Sequence, residues 1–452
     1  MKQLVKIIVF MTVCILGISV LPWAASVPVI RVDAKNKTGK DIGVELGRLI
    51  IDRFPDIAKS VDSYLESYSS QDRFNYIVRR RLDAVRSSVD RRYRDEVDGM
   101  ASLLVSSDRN KIGDGVLSSD EFWFFQLIPD IGRESSCSGF GVFGECSASG
   151  GPIVGRNMDW FTTEALRGIQ AITVYEYEKN VLVNIGFAGY AAVVTGFNNR
   201  GLFAAHLDSP MGLPYPDPPQ RMHSAVFEIR KALETEGSIS RAASLMRRQR
   251  YPFSHNVLLA DTRDVQVLEQ VRGEPGRLRS AYSPVRIDIS WDKPCQIAVV
   301  NFFALRGYSN HVTETCRWRR FETLAVFDRY HKAYPGDVMK IMLDTKTVCY
   351  DSIFRDRTVQ SMVFTPEDRK LYLYTVPVSG VHPPNPVMEE VKDLIPSAPP
   401  EGMADVGNLL MIFLLVIGVP VGAVIYYKWE SSLKRRLSIY GDEDENEEDD
   451  HI

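Results

Sequence analysis

The hydrophobic period of this chain changes once, near residue 137, and that change restricts the folds open to it. From residue 27 to about residue 133 apolar side chains recur three and four apart, as in IGVELGRLIIDRF and the arginine-rich QDRFNYIVRRRLDAVRSSVDRRYRDEVDGMASLLVSS, the spacing of amphipathic helices. Those arginines alternate with aspartates, which marks a solvated helix face rather than a phosphate site. From Ser138 on, short runs predict strands: CSGFGVFGECSASGGPIVGRNMDW as a hairpin about a Ser-Gly-Gly turn, then AITVYEYEKNVLVNIGF, YAAVVTGF, GLFAAHL, NVLLADTRDVQVLEQV and MVFTPEDRKLYLYTV. Helices are expected among them at HSAVFEIRKALE, SISRAASLMRRQ, CRWRRFETLAVFDRYH and GDVMKIMLDT. Sheet-rich sequence with clustered helices predicts a layered α+β domain, not a parallel doubly wound one.

Two apolar flanks set the compartment. Residues 1–26 carry Lys2 and Lys6, then an apolar run, then Ala24, Ala25 and Ser26, the pattern of a cleaved secretory signal, with an uncleaved anchor as the alternative. Residues 406–427 hold no charged residue and are long enough to span a bilayer as a transmembrane helix; Pro420 is tolerable there. Lys428, Lys434, Arg435 and Arg436 follow, which orients the C-terminus to the cytoplasm. The sequence therefore predicts a single-pass type I membrane protein whose body, residues 27–378, lies at the cell surface or in an endomembrane lumen. The proline-rich residues 379–405 are expected to form a stalk, and residues 428–452 an acidic, disordered cytoplasmic tail. The formal net charge of -4 gives no basic footprint for nucleic acid.

Six cysteines are present. Cys14 would leave with the signal, so Cys137, Cys146, Cys295, Cys316 and Cys349 remain. An odd number in an oxidising compartment leaves at least one thiol unpaired within the chain. Asn36-Lys37-Thr38 is a glycosylation sequon. No paired Cys or His clusters with metal spacing, no Gly-Lys-Ser/Thr phosphate loop and no Gly-x-Ser-x-Gly elbow occur, so neither metal nor other cofactor is expected.

Taken alone, Cys137 could be a core thiol, half of a disulfide or a nucleophile. Its context narrows the choice. The stretch from Cys137 to Trp160 resembles the nucleophile hairpin of the choloylglycine hydrolase, penicillin acyltransferase and acid ceramidase branch of the N-terminal-nucleophile (Ntn) hydrolases, with Gly155-Arg156-Asn157-Met158-Asp159 matching that branch's Gly-Arg-Asn-x-Asp. Phe197 to Leu202, Asn256 to Asp261 with Glu269, Asn301 in VVNFF, Arg317 in CRWRRFETL and Thr358 to Ser361 resemble later pieces in the same order. The likeness covers about residues 29 to 377. It implies a four-layer αββα sandwich of two antiparallel sheets, a pro-segment of residues 27–136 and a catalytic domain of residues 137–378.

The resemblance also implies a mechanism. A thiol of pKa near 8.5 needs a base and a positive neighbour; in this family the base is the cysteine's own α-amino group, which an internal cysteine lacks. Cleavage of Ser136-Cys137 by the thiol is therefore implied, followed by attack on a linear N-acyl amide through a Cys137 thioester. Arg156 would support the thiolate, Asp159 would orient the new ammonium, Asn301 would serve the oxyanion and Arg317 would brace the site, although Arg319 and Arg320 lie close enough to shift that match. Arg156 and Asp159, three apart on an extended strand, should lie on opposite faces unless the strand bends. Asp208 stands where the bile-salt hydrolase branch carries an oxyanion-hole asparagine, and a carboxylate there would oppose an oxyanion unless protonated. Cys146 reads as a disulfide or core residue, and His206 as structural.

The expected partner is a small-molecule or lipid N-acyl amide, hydrolysed or transferred to an amine, with the membrane as a second partner. The main alternative is a non-catalytic Ntn-fold receptor or adhesion ectodomain. A papain-like Cys-His protease is weaker, because Cys137 stands in no papain-type signature.

Overall fold

The computed structural model describes residues 27–132, 136–210, 215, 221–308, 315–395 and 428–431. The described residues up to Leu394 form one compact unit; residues 428–431, which belong to a second, are helical. The signal expected at 1–26 and the span expected at 406–427 lie outside the described residues. Among the described residues no helix is long and apolar enough to cross a membrane.

Two sheets organise the first unit. One has six strands in the order β11 (Gln296–Val299), β2 (Ser138–Val142), β3 (Ile153–Asp159), β12 (Thr358–Thr365), β13 (Lys370–Thr375) and β14 (Glu389–Val391). The other has eight, running from β1 (Val29–Asp33) through β4 (Gln170–Glu176), β5 (Val181–Phe187), β6 (Thr195–Asn198), β7 (Phe203–Asp208), β8 (His255–Ala260) and β9 (Val265–Gln270) to β10 (Arg277–Arg279). Their inner faces meet: Phe364 stacks on Phe197 at 4.3 Å, and a Cβ at Gly139 would collide with Leu258. On the outer face of the smaller sheet the helix Pro335–Met342 packs so closely over Gly155 that a side chain there would strike Met342. On the outer face of the larger sheet Leu233, in the helix Ala225–Thr235, packs over Gly196. Helix, sheet, sheet and helix thus form the layers.

Two expectations are corrected. The larger sheet is not wholly antiparallel, because β1 pairs parallel with β4; a five-residue edge strand was hidden in a segment whose dominant period is helical. Residues 389–391, read as stalk, instead extend the smaller sheet by pairing with β13.

The helical segment before residue 137 is docked on the sheets, not free of them. Its helix Arg91–Leu104 supplies Glu96, which receives two bonds from the fully buried Arg230, at 2.7 and 2.9 Å. Such bidentate pairing satisfies both charges where water cannot. At its far end Asp130, on the helix Ser119–Ile131, accepts from the Ala225 N–H at 2.8 Å and from the Ser224 hydroxyl, so a carboxylate of one segment caps a helix of the other.

Candidate active site

The hairpin β2–β3 fixes the parity of every residue near Cys137. Gly139 stands opposite Arg156 and Ser138 opposite Asn157, and cross-strand partners share a face. Arg156 therefore faces the inter-sheet core with Cys137. Asn157 faces the outer helices, where its Nδ2 donates to the carbonyls of Met342 and Ile353 at 2.8 and 2.9 Å. Asp159 shares the outward parity of Asn157. The two motif residues do lie on opposite faces, and Cys137 sits at the strand end between them: Arg156 reaches its sulfur on the inner side, and Asp159 meets Ser136 and Arg317 on the outer.

On the inner side Arg156 Nη2 donates to the Cys137 sulfur at 3.3 Å and to the His206 carbonyl at 2.9 Å. Both residues are fully buried. Arg156 Nε and Nη1 have no hydrogen-bond partner among the described residues, so one guanidinium faces the thiol with donors to spare. Burial pulls the Arg156 pKa down, and the neighbouring Cys137 and Asp159 act against that.

On the outer side the backbone just before Cys137 is gripped by charges. Arg317 Nη1 donates to the Ser136 carbonyl at 3.2 Å and to Asp159 Oδ2 at 3.0 Å. Its Nη2 donates to the Ser136 hydroxyl at 3.2 Å and to Asn301 Oδ1 at 2.8 Å. Thr358 donates its hydroxyl to Asp159 Oδ1 at 2.7 Å. That contact depends on a register shift of β12 between Thr358 and Gln360, which sets Thr358 opposite Asp159. The Ser136 N–H closes the group by donating to the Asp159 carbonyl at 3.1 Å.

Asn301 turns its amide nitrogen to the backbone carbonyl of Asp208 at 2.5 Å. Asp208 is buried at the end of β7, tied to the site through its main chain. His206 and His255 stack at 5.0 Å behind Arg156; burial holds both imidazoles below their ordinary pKa, His255 at about 4. Cys146 is joined to Cys295.

No family model matches the chain, and no curated protein matches it. Among solved structures it is similar to a Caenorhabditis elegans ortholog of N-acylethanolamine-hydrolyzing acid amidase, at 16% identity and a TM-score of 0.38, covering 51% of this chain and 93% of that one. A variant of the conjugated bile acid hydrolase of Clostridium perfringens follows at 13% identity and 0.33, covering 57% and 94%. Penicillin V acylase from Agrobacterium tumefaciens stands at 13% and 0.34, covering 53% and 83%. At such scores the reading of this site rests on its own geometry.

That geometry brings together five of the six residues singled out in the sequence, Cys137, Arg156, Asp159, Asn301 and Arg317, with Asp208 joined by its carbonyl. It adds Arg355 and Asp351. Arg355 Nη1 donates to the Ser136 hydroxyl at 2.8 Å and lies 3.8 Å from Asp159 Oδ2, while its other nitrogens pair with Asp351. Asp351 also lies 3.4 Å from Arg317 Nε. The residues sit in a turn ahead of β12, where no local period marks them; their spacing of four was the one available signal. Two carboxylates and two guanidinia thus enclose Ser136, and among the described residues no His, Cys, Asp or Glu group could hold a metal ion.

Proposed function

We propose that this chain is a cysteine amidohydrolase that cuts its own Ser136-Cys137 bond and then attacks linear N-acyl amides with Cys137. The observation that carries the reading is the placement of one peptide bond. The Ser136 carbonyl accepts from Arg317 while the adjacent thiol faces Arg156.

In the first step the Cys137 sulfur adds to the Ser136 carbonyl carbon, and the developing oxyanion is met by Arg317 Nη1. The C–N bond breaks, the Cys137 nitrogen takes the thiol proton, and a thioester links Ser136 to sulfur. Water releases Ser136 as a carboxylic acid and restores the thiol. The freed α-amino group, with an ordinary pKa of ~7.7–8.0, then takes the thiol proton for attack on substrate. Asp159, whose carbonyl oxygen lies 3.9 Å from the Cys137 sulfur, balances the ammonium. Arg156 favours the thiolate.

Met158, Trp160, Ile185 and Phe187, with Tyr64 and Phe125 from the leading segment, line a small apolar cavity of about 10 Å³. That space is too small for an acyl chain, so a lipid N-acyl amide as substrate is supported by the membrane anchor read from residues 406–427 and not by this cavity. The uncharged residues 406–427 support a membrane anchor with the catalytic body outside the cytoplasm, and the Cys146–Cys295 disulfide supports an oxidising compartment. Released acyl groups pass to water in this reading; transfer to an amine would follow if the thioester were shielded from water.

The test is a denaturing gel of the purified full chain with N-terminal sequencing. A fragment beginning at Cys137, absent in Cys137→Ala, is expected, together with fatty-acid release from N-acyl amides. A chain that stays intact and hydrolyses no amide would overturn the reading in favour of a non-catalytic ectodomain.

A further inference from the structure

Beyond Cys137 and the Cys146–Cys295 disulfide, the described residues hold two more cysteines, and both stand against the site. Cys316 is buried on the helix Thr315–Leu324, immediately before Arg317. Cys349 is exposed, in the turn that carries Asp351 and leads to Arg355. The two thiols are neighbours, each shifting the titration of the other.

The helix and the turn are already held together on both sides of the thiols. Arg320 pairs with Asp344 through two bonds of 2.6 Å, and Arg317 Nε lies 3.4 Å from Asp351. Within the turn Val348 and Asp351 exchange backbone bonds of 2.8 and 3.1 Å, which forces Cys349 to a φ of 59°. A non-glycine residue in that region is costly, so a local requirement for the side chain explains its presence where glycine would fit better.

We propose that Cys316 and Cys349 form a second disulfide, a covalent brace that holds the Asp351–Arg355 turn against the Arg317 helix and, among the described cysteines, leaves Cys137 outside either bridge. The inference does not depend on the amidohydrolase reading. The oxidant is a small disulfide such as glutathione disulfide, or a protein disulfide oxidoreductase. The exposed Cys349 thiolate attacks it and releases one thiol. The Cys316 thiolate then attacks the Cys349 sulfur of the mixed disulfide and releases the second. Two protein thiols and one disulfide become one protein disulfide and two small thiols, with electrons and protons balanced.

Exposure, not ionisation, sets that order. Burial pushes the Cys316 thiol up, but hydrogen bonds from Cys349 and Tyr350 outweigh it and hold the thiol below its ordinary pKa. Cys349, raised chiefly by its hydrogen bond to Cys316, is the one that solvent reaches.

The pairing also resolves the odd cysteine count. Five cysteines of the body divide into two bridges and one remainder, and the remainder is the thiol that Arg156 faces. Reduction of the brace would loosen the turn on which Arg355 reaches Ser136, so the brace ties the redox state of the compartment to the geometry around the scissile bond.

The experiment uses the full chain, produced through a secretory pathway and purified without reductant. It is alkylated under denaturing conditions and mapped by peptide mass spectrometry. The expected result is a Cys316–Cys349 linked pair, a Cys146–Cys295 linked pair, and Cys137 recovered alkylated. Recovery of both Cys316 and Cys349 alkylated while Cys146–Cys295 is linked would overturn the proposal, as would a bridge from either to Cys137. Wild-type protein equilibrated in glutathione redox buffers gives an independent readout without a variant: breaking the link is expected to lower Tm by about 5 °C. A Tm unmoved between buffers that map as linked and unlinked would overturn the bracing role.

Discussion

Arg317 Nη1 lies 3.2 Å from the Ser136 carbonyl oxygen and 3.0 Å from Asp159 Oδ2, so one guanidinium joins the carbonyl of the Ser136-Cys137 bond to a buried carboxylate. If the oxyanion forms at that oxygen, Arg317→Lys, which keeps the charge but loses the fork, is expected to slow self-cleavage by roughly 10²–10³-fold. Intact-mass time courses of freshly made protein measure this. A thermal melt run beside them separates a slow site from a damaged fold, since Asp159 is fully buried and a lost partner costs about 3–5 kcal/mol.

Arg156 faces the sulfur that the proposed step would use. With its Nη2 3.3 Å from the sulfur, Arg156→Gln is expected to move the pH midpoint of Cys137 alkylation upward by about 1–2 units. The measurement is the iodoacetamide rate against pH, with Cys146 and Cys295 protected in their disulfide. An unmoved midpoint would mean the guanidinium does no more than hold His206 in place.

The fold and most of this site were legible for the same reason: each piece has a local pattern. The Gly-Arg-Asn-x-Asp run, its distance from Cys137 and the hairpin glycines are all sequence-local, and β3 translates them directly into Arg156 inward and Asp159 outward. What was not legible came from tertiary contact. The strand β1 is five residues at an edge, too short to compete with the helical period around it, and it is a strand because β4 offers it a partner. Arg355 is one arginine among many until the turn before β12 carries it to Ser136. The opposite-face geometry of Arg156 and Asp159 followed from parity, but that a strand-end cysteine reconciles it required the register.

Ser136 itself is open to a gentler test. Its hydroxyl accepts from Arg355 Nη1 at 2.8 Å and from Arg317 Nη2 at 3.2 Å, bonds to charged groups that contribute about 1.5–3 kcal/mol each at most. Ser136→Ala keeps the carbonyl and its Arg317 contact, so cleavage is expected to slow by about tenfold and not stop. Ser136→Thr, which restores the hydroxyl, should recover most of that rate. Equal rates for all three would show that the hydroxyl plays no part in aligning the bond.

Asp130 gives the molecule a pH dependence remote from the thiol. Desolvation raises its pKa to about 7 despite the bonds from Ser224 and Ala225. The folded protein therefore holds a proton on this carboxyl that the unfolded chain, at an ordinary pKa of 3.8, has already released. Between those two values folding takes up a proton, so stability falls as pH rises from about 4 to about 7, by on the order of 4 kcal/mol at most. Asp130→Asn keeps an acceptor for the Ala225 N–H and offers a donor to Ser224 without any charge. The wild type should melt higher at pH 5 than at pH 7.5, and the variant should flatten that difference chiefly by raising the value at pH 7.5. Because Asp130 joins the helical segment before residue 137 to the helix Ala225–Thr235, limited proteolysis of Cys137→Ala at the two pH values reads the same change as docking: the leading segment should be the better protected in acid.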